Sequence, residues 1–456
     1  RDRALNYYHQ FLDETGHAET IAARFSVVGF SLMGPTQVVP TLTLALRLKE
    51  LRSDLVVVLG GPWVSLFAAE LAAAAPLRPF FDVLVEGEGE AAWLAIARAG
   101  GAAPGASVPN AWVRTAKGLA PPRDRFVAYL AEIGTPSFDG LDLDCYGAPR
   151  PVLLQSGRGC YWDRCAFCVH TGRGQAALGP RVRLRPLALV AADIAELVRK
   201  HAPRYLAFAD LSVSPARMRQ LCRIMEDGRI DLPWFAFVRL DPGFDRSLLE
   251  RMRRAGCLKL NFGLESGSAR ILELLDKGHD LETARRIIDD AIDLGFRVTL
   301  HTMAGLPGES REDLDLTLAL VDRYAPAVHE SYTEIFRLEP GTRIHRSPHS
   351  FGIEPRPTDR GFDNCVPFEN RGGLSQAEAM AIIEERLYAF YRDREELIYR
   401  SRSHFGMKHK HDFAAPSRFR ARFRVELGGR VFADEVTVET RGGGILRRVG
   451  GGEGQS

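Results

Sequence analysis

Short, unbroken apolar runs alternate with helical periodicity through most of the chain. Residues 26–31 (SVVGFS), 55–61 (LVVVLGG) and 82–85 are such runs, and a helical stretch fills about 38–52. Continuous β-branched runs between helices predict a parallel sheet covered on both faces. Ligands are then expected at the carboxyl ends of its strands. From 101 to 149 glycine, alanine and proline are dense, and Pro121-Pro122 and Gly134-Thr135-Pro136 break regular structure. This stretch reads as a linker with a small hairpin. Beyond it the βα rhythm runs six times, with strands expected at 151–156, 204–210, 234–239, 258–265, 296–304 and 331–337. A closed eight-stranded barrel takes ~250 residues, so six units predict a partial barrel, open at one flank, with its functional groups just after each strand. Near the end, Ser375 and Glu378 form a capping box before a helix from Gln376 to about Arg400. Arg418–Leu427 and Arg430–Thr440 flank Gly428-Gly429 as a hairpin.

The fold class is therefore α/β. A Rossmann-like domain is expected at 1–100, a linker at 101–149, a partial (βα)6 TIM-type barrel at 150–345, a small α+β region at 346–441 and a disordered glycine-rich tail at 442–456.

Composition adds exclusions. Of 456 residues, 45% are hydrophobic and 26% charged, which excludes a wholly disordered chain. A net charge of +2 gives no support to a dedicated nucleic-acid binder. No apolar run reaches the ~18 residues of a membrane span, and the start, Arg1-Asp2-Arg3, lacks the basic-then-apolar pattern expected of a signal peptide. Seven cysteines, an odd number with three crowded together, suggest a reducing, cytoplasmic compartment and one metal site.

Residues 157–170 read GRGCYWDRCAFCVH, directly after the first barrel strand. Cys160, Cys165 and Cys168 can hold three corners of a cubane iron–sulfur cluster and leave one iron open. With His170 they also match a Cys3His zinc set, and spacing alone does not choose between the two. Structural zinc usually staples a domain with little core, whereas this cluster opens a barrel.

At these residues the chain resembles the radical S-adenosylmethionine (radical SAM) superfamily, whose signature is three cysteines after the first strand with an aromatic before the last. Phe167 takes the aromatic place, although four residues rather than three separate Cys160 from Cys165. Residues 234–242 (WFAFVRLDP), 261–278 (NFGLESGSARILELLDKG) and 304–313 (AGLPGESRED) resemble the third, fourth and fifth strand segments of the elongator-type branch. The resemblance implies that Arg239 pairs with a carboxylate, and that Glu265, Ser266 and Ser268 lie near the ribose or methionine part of S-adenosylmethionine. Asp210 stands where the superfamily often has a Gly-Glu pair for the ligand's amino group. Each has an ordinary alternative: Glu265 and Asp210 could cap helices, and Arg239 could be a surface ion-pair residue.

Residues 27–37 (VVGFSLMGPTQ), 55–65 (LVVVLGGPWVS) and 82–90 (DVLVEGEGE) resemble the cobalamin-binding domain of one radical SAM class. Ser31, Gln37, Gly60 and Gly61 carry over as corrinoid contacts. That domain ordinarily has about two further βα units before residue 26, so it is expected to be N-terminally incomplete or a degenerate scaffold.

The resemblance implies an enzyme holding a 4Fe-4S cluster, S-adenosylmethionine and cobalamin. It would cleave S-adenosylmethionine reductively to a 5′-deoxyadenosyl radical and methylate an unactivated carbon of a natural product or peptide. An external one-electron reductant such as flavodoxin or ferredoxin is its expected partner, with no membrane and no nucleic acid. A rearrangement or cyclisation without methyl transfer is the alternative within that chemistry. From another class comes a zinc-stapled protein that binds RNA or a peptide through Arg418, Arg420, Arg422 and Arg424; a solvated sheet face is the plainer reading of that stripe. His404, His409 and His411 read as a flexible basic loop. An RNA methylthiotransferase would need a cysteine-rich N-terminal domain, and residues 1–144 contain no cysteine.

Overall fold

The computed structural model describes residues 6–100, 108–115, 118–143, 151–171, 182–357, 364–392, 417–427, 430–441 and 444–449. His404, His409 and His411 lie outside them. The chain divides into two compact units, residues 1–380 and 381–456. No described helix is long and apolar enough to cross a membrane.

The first unit opens with helices α1 (Tyr7–Thr15) and α2 (His17–Arg24), strand β1 (Val27–Ser31), α3 (Val38–Leu51), β2 (Val56–Gly60), α4 (Pro62–Ala73), β3 (Val83–Val85) and α5 (Glu90–Arg98). β1, β2 and β3 are parallel. Strand β2 is buried along nearly its whole length, as its unbroken valine run predicts. The expected linker hairpin is present as β4 (Ala111–Thr115) and β5 (Gly118–Ala120). It does not stand apart: β4 pairs antiparallel with β3, so the first sheet runs β1-β2-β3-β4-β5 and extends past the expected boundary at 100. The unsatisfied backbone edge of β3 gives the physical reason.

The barrel follows. Strand β6 (Pro151–Leu154) leads into a short antiparallel ribbon, β7 (Gly157–Gly159) with β8 (Val182–Leu184). Then come α6 (Leu187–His201), β9 (Tyr205–Phe208), α7 (Pro215–Asp227), β10 (Trp234–Val238), α8 (Arg246–Arg254), β11 (Cys257–Glu265), α9 (Ala269–Leu274), α10 (Leu281–Asp293), β12 (Arg297–Ala304), α11 (Arg311–Tyr324) and β13 (Glu330–Ile335). The six-stranded parallel sheet has the order β13-β12-β11-β10-β9-β6. All six expected strands are present, within two residues at each end.

Alternate residues on these strands face the helices and form the largest core, which includes Val152, Leu206, Trp234, Leu260, Phe262 and Leu300. The intervening positions are mixed: Lys259, Asn261, Thr299 and Glu330 alternate with those core residues. At the foot of this inner face Lys259 Nζ lies 2.7 Å from Glu330 Oε2, and Thr299 Oγ1 donates to the same oxygen at 3.0 Å.

After β13, α12 (Arg343–Arg346) and the ribbon β14 (Ile353–Pro355) with β15 (Phe368–Asn370) close a further apolar cluster with Phe336, Leu338 and Ala166. The capping box forms: Glu378 N–H donates to Ser375 Oγ at 3.2 Å, ahead of α13 (Gln376–Arg392). In the second unit, β16 (Ser417–Leu427) and β17 (Arg430–Arg441) make the expected hairpin, with Arg418 in register with Glu439 and Arg422 with Glu435. A third strand, β18 (Gly444–Val449), pairs with β17 where disorder was expected. The open edge of β17 supplies a template that a glycine-rich composition does not reveal.

Candidate functional site

The loop after β6 and β7 sits at the carboxyl end of the barrel. Ser156 N–H and Ser156 Oγ–H both donate to Asp210 at 2.9 Å, fixing this loop against the end of β9. Burial raises the Asp210 carboxyl above its usual range despite these bonds. Asp210 therefore neither caps a helix nor turns freely into the barrel; it ties β7 to its neighbour.

The next residue after β7 is Cys160. Cys165 is buried, and Cys160 and Cys168 are half-buried. Burial pushes the Cys168 thiol up to about 12. It also raises Cys165, against the opposing pull of Lys277 and Arg239. Thiols in such a place become thiolates only when a metal or cation takes the charge.

Arg239, at the end of β10, is 5% exposed. Its Nη1 lies 3.6 Å from Cys165 Sγ, its Nη2 donates to Lys277 O, and its guanidinium stacks 4.6 Å over the Trp162 ring. Its Nε has no partner, and among the described residues no carboxylate pairs with it. It is not the surface ion-pair residue that the plainer reading offered. A buried cation without an anion marks an anion-receptive site.

Lys277 is the second cation, and the sequence pattern alone did not single it out. It is buried and bonds Glu265 Oε1 at 2.7 Å. Glu265 itself takes φ +66°, a left-handed backbone for a non-glycine residue, at an irregularity in the β11–β12 pairing. Such strain costs on the order of 1–3 kcal/mol and persists where the surroundings enforce it. Burial, with Lys277 and Arg239 close by, pushes His279 down to about 3. Lys277 also lies 5.7 Å from the Phe167 ring.

Ser266 and Ser268 lie at the start of α9. Ser266 Oγ lies 3.1 Å from Thr317 Oγ1, and Ser268 Oγ donates to Asp313 Oδ1 at 2.6 Å. Ser268 also caps α9. Their hydroxyls are engaged there with α11 and the first turn of α9. Glu309 is fully buried, accepts the N–H groups of Gly305 and Leu306, and is raised by burial to about 7. A half-open cavity of about 320 Å³ on the β6 side is lined by Leu130, Ile133, Pro136, Leu153 and Gln155 among others.

Residues 154–321 match the radical SAM superfamily. An uncharacterized methyltransferase of Pyrococcus horikoshii is 28% identical over 314 residues, which cover 66% of this chain and 65% of that one. The radical S-adenosylmethionine methyltransferase TsrM from Kitasatospora setae, solved with cobalamin and a 4Fe-4S cluster bound, has the same fold. Its TM-score is 0.63 at 16% identity, covering 78% of this chain and 71% of that one. The cobalamin-dependent S-adenosylmethionine radical enzyme OxsB, solved with aqua-cobalamin and S-adenosylmethionine, gives 0.64 at 13% identity over 87% and 61%. The partial barrel and the domain before it are thus one architecture shared with these structures.

Within the first domain the expected corrinoid positions differ in what holds them. Gly61 has φ +95°, and a Cβ there would lie 2.6 Å from Leu32 N and Leu32 O. Glycine is therefore required by the crossing of two loops. A Cβ at Gly60 would make only ordinary contact with Val85, at 3.6 Å. Gln37 Oε1 accepts Met33 N–H at 2.6 Å and shapes the loop after β1, while Ser31 is exposed at that strand's end.

Proposed function

We propose that this protein is a cobalamin-dependent radical SAM methyltransferase acting on a carbon centre of a natural product or peptide. The observation that carries the reading is the pairing of three thiols with two buried cations at the mouth of an open parallel barrel. Cys160, Cys165 and Cys168 would hold a 4Fe-4S cluster. A cubane would spread the three thiolates over separate irons; a single tetrahedral zinc is the rival occupant, and metal analysis separates the two. When bound, the cluster supplies the electron that splits S-adenosylmethionine, and cobalamin supplies a methyl carrier.

The chain's own residues orient these groups. Arg239 has one unpartnered donor, Nε, and its buried positive charge would attract a carboxylate such as that of S-adenosylmethionine's methionine part. Lys277 and Glu265 hold each other at the inner wall, and Phe167 packs beside Lys277. The carboxyl ends of β1 and β2 would present Ser31, Gly60 and Gly61 to the corrinoid. An external one-electron donor, such as flavodoxin or ferredoxin, completes the reaction. Anaerobic reconstitution followed by metal analysis and S-adenosylmethionine cleavage tests the reading: iron, sulfide and cobalt should load together, and 5′-deoxyadenosine should form only with reductant. A cluster-loaded chain that takes up no cobalamin would favour the rearrangement chemistry instead.

A further inference from the structure

β7 and β8 place two arginines opposite each other: Arg158 and Arg183 are direct cross-strand partners. Like charges so placed are destabilising. The first domain supplies the remedy. Glu88, in the loop after β3, has an 8% exposed side chain whose Oε1 lies 3.1 Å from Arg158 Nη1 and also pairs with Arg183 Nη2. Its Oε2 accepts Arg183 Nη1 at 3.1 Å and Ala128 N–H at 2.6 Å. Glu90, more exposed, takes the other end of Arg158 at 2.5 Å. Burial alone would raise the Glu88 carboxyl, but bonds from Arg183, Ala128 and Arg158 outweigh it and hold the group below its usual range. β7 ends at Gly159, one residue before Cys160.

We propose that Glu88 is a positioning residue of the first domain that bridges Arg158 and Arg183 and so holds the β7–β8 ribbon, and with it Cys160, in place. The cysteine loop is then set partly from outside its own barrel. The functional half of this proposal rests on the cluster reading above; the structural half does not.

The test is hydrogen exchange by mass spectrometry on the full chain, comparing the parent with Glu88→Gln, Arg183→Gln and the double variant. Glu88→Gln should speed exchange at least tenfold in 157–160 and 182–184 and leave β12 unchanged. The double variant, which relieves the arginine pair, should recover at least threefold. Arg183→Gln alone should stay within about twofold of the parent, because Glu88 keeps Arg158. No change in Glu88→Gln, or a double variant as fast as Glu88→Gln, overturns the proposal. Should Glu88→Gln fail to fold, Glu88→Asp with and without Arg183→Gln carries the same comparison. On the reconstituted chain, Glu88→Gln should release iron to a chelator at least threefold faster. Raised exchange with unchanged iron release would show that the bridge does not reach Cys160 and overturns the positioning role. A parent chain that loads no iron sinks the cluster reading, while the exchange data still decide the bridge.

Discussion

Two glycines with nearly the same backbone make a matched pair of perturbations. Gly278 has φ +76° and Gly295 has φ +74°. Alanine at either position must adopt the left-handed region, which costs roughly 1–2 kcal/mol. The surroundings then differ. A Cβ at Gly295 meets nothing within 4 Å, whereas one at Gly278 would lie 1.9 Å from Trp162 Cζ2. The indole must move. It would give up its Nε1–H bond to Asp276 O at 2.7 Å, worth about 1 kcal/mol. It would also give up its stacking under Arg239 at 4.6 Å, worth about 1–2 kcal/mol for a desolvated pair. Gly295→Ala should therefore cost about 1–2 kcal/mol and Gly278→Ala about 3–5 kcal/mol. Urea denaturation followed by far-UV circular dichroism, on parent and variants without bound metal, reads the difference. Equal losses in the two variants would refute the claim that Gly278 exists to seat Trp162.

Further expectations follow from buried charge. Lys277→Met strands Glu265 and should cost about 3–5 kcal/mol, with Glu265→Gln added in the double variant restoring more than half; a loss under 1 kcal/mol in the urea midpoint analysis would contradict the pairing. Glu309 is raised from 4.5 to about 7, so the folded chain keeps a proton that the unfolded chain releases between those values, and stability falls as pH rises through that window. Glu309→Gln should flatten this fall, on the order of 3 kcal/mol, and be no less stable than the parent at pH 8. Urea melts at pH 5 and pH 8 check it, and an unchanged pH slope would contradict it.

The strand pattern is legible in the sequence because the central parallel strands carry apolar residues at least at every second position, as β2 does along nearly its whole length. The cysteine loop is legible because three thiols crowded into a polar, glycine-rich loop point to a shared metal. Less is visible wherever residues far apart in sequence meet. Lys277 lies inside the 261–278 segment, yet nothing local shows that a lysine there is buried against Glu265. Trp162 and Gly278 interlock across 116 positions. Ser266 and Ser268 are singled out by position, and their bonds to Thr317 and Asp313 on α11, some 45 to 51 residues away, are invisible locally. A small hairpin is expected within 101–149 from the local composition, while the docking of β4 onto β3 depends on an edge that the sequence does not display.

The most direct test of the central claim is anaerobic reconstitution of the parent and Cys165→Ala, with iron, sulfide, zinc and cobalt measured per chain alongside the absorption spectrum. A 4Fe-4S radical enzyme should show about four irons and four sulfides in the parent, their loss in Cys165→Ala, and cobalt uptake when cobalamin is supplied. One zinc with no sulfide would contradict it and leave a metal-stapled binding protein.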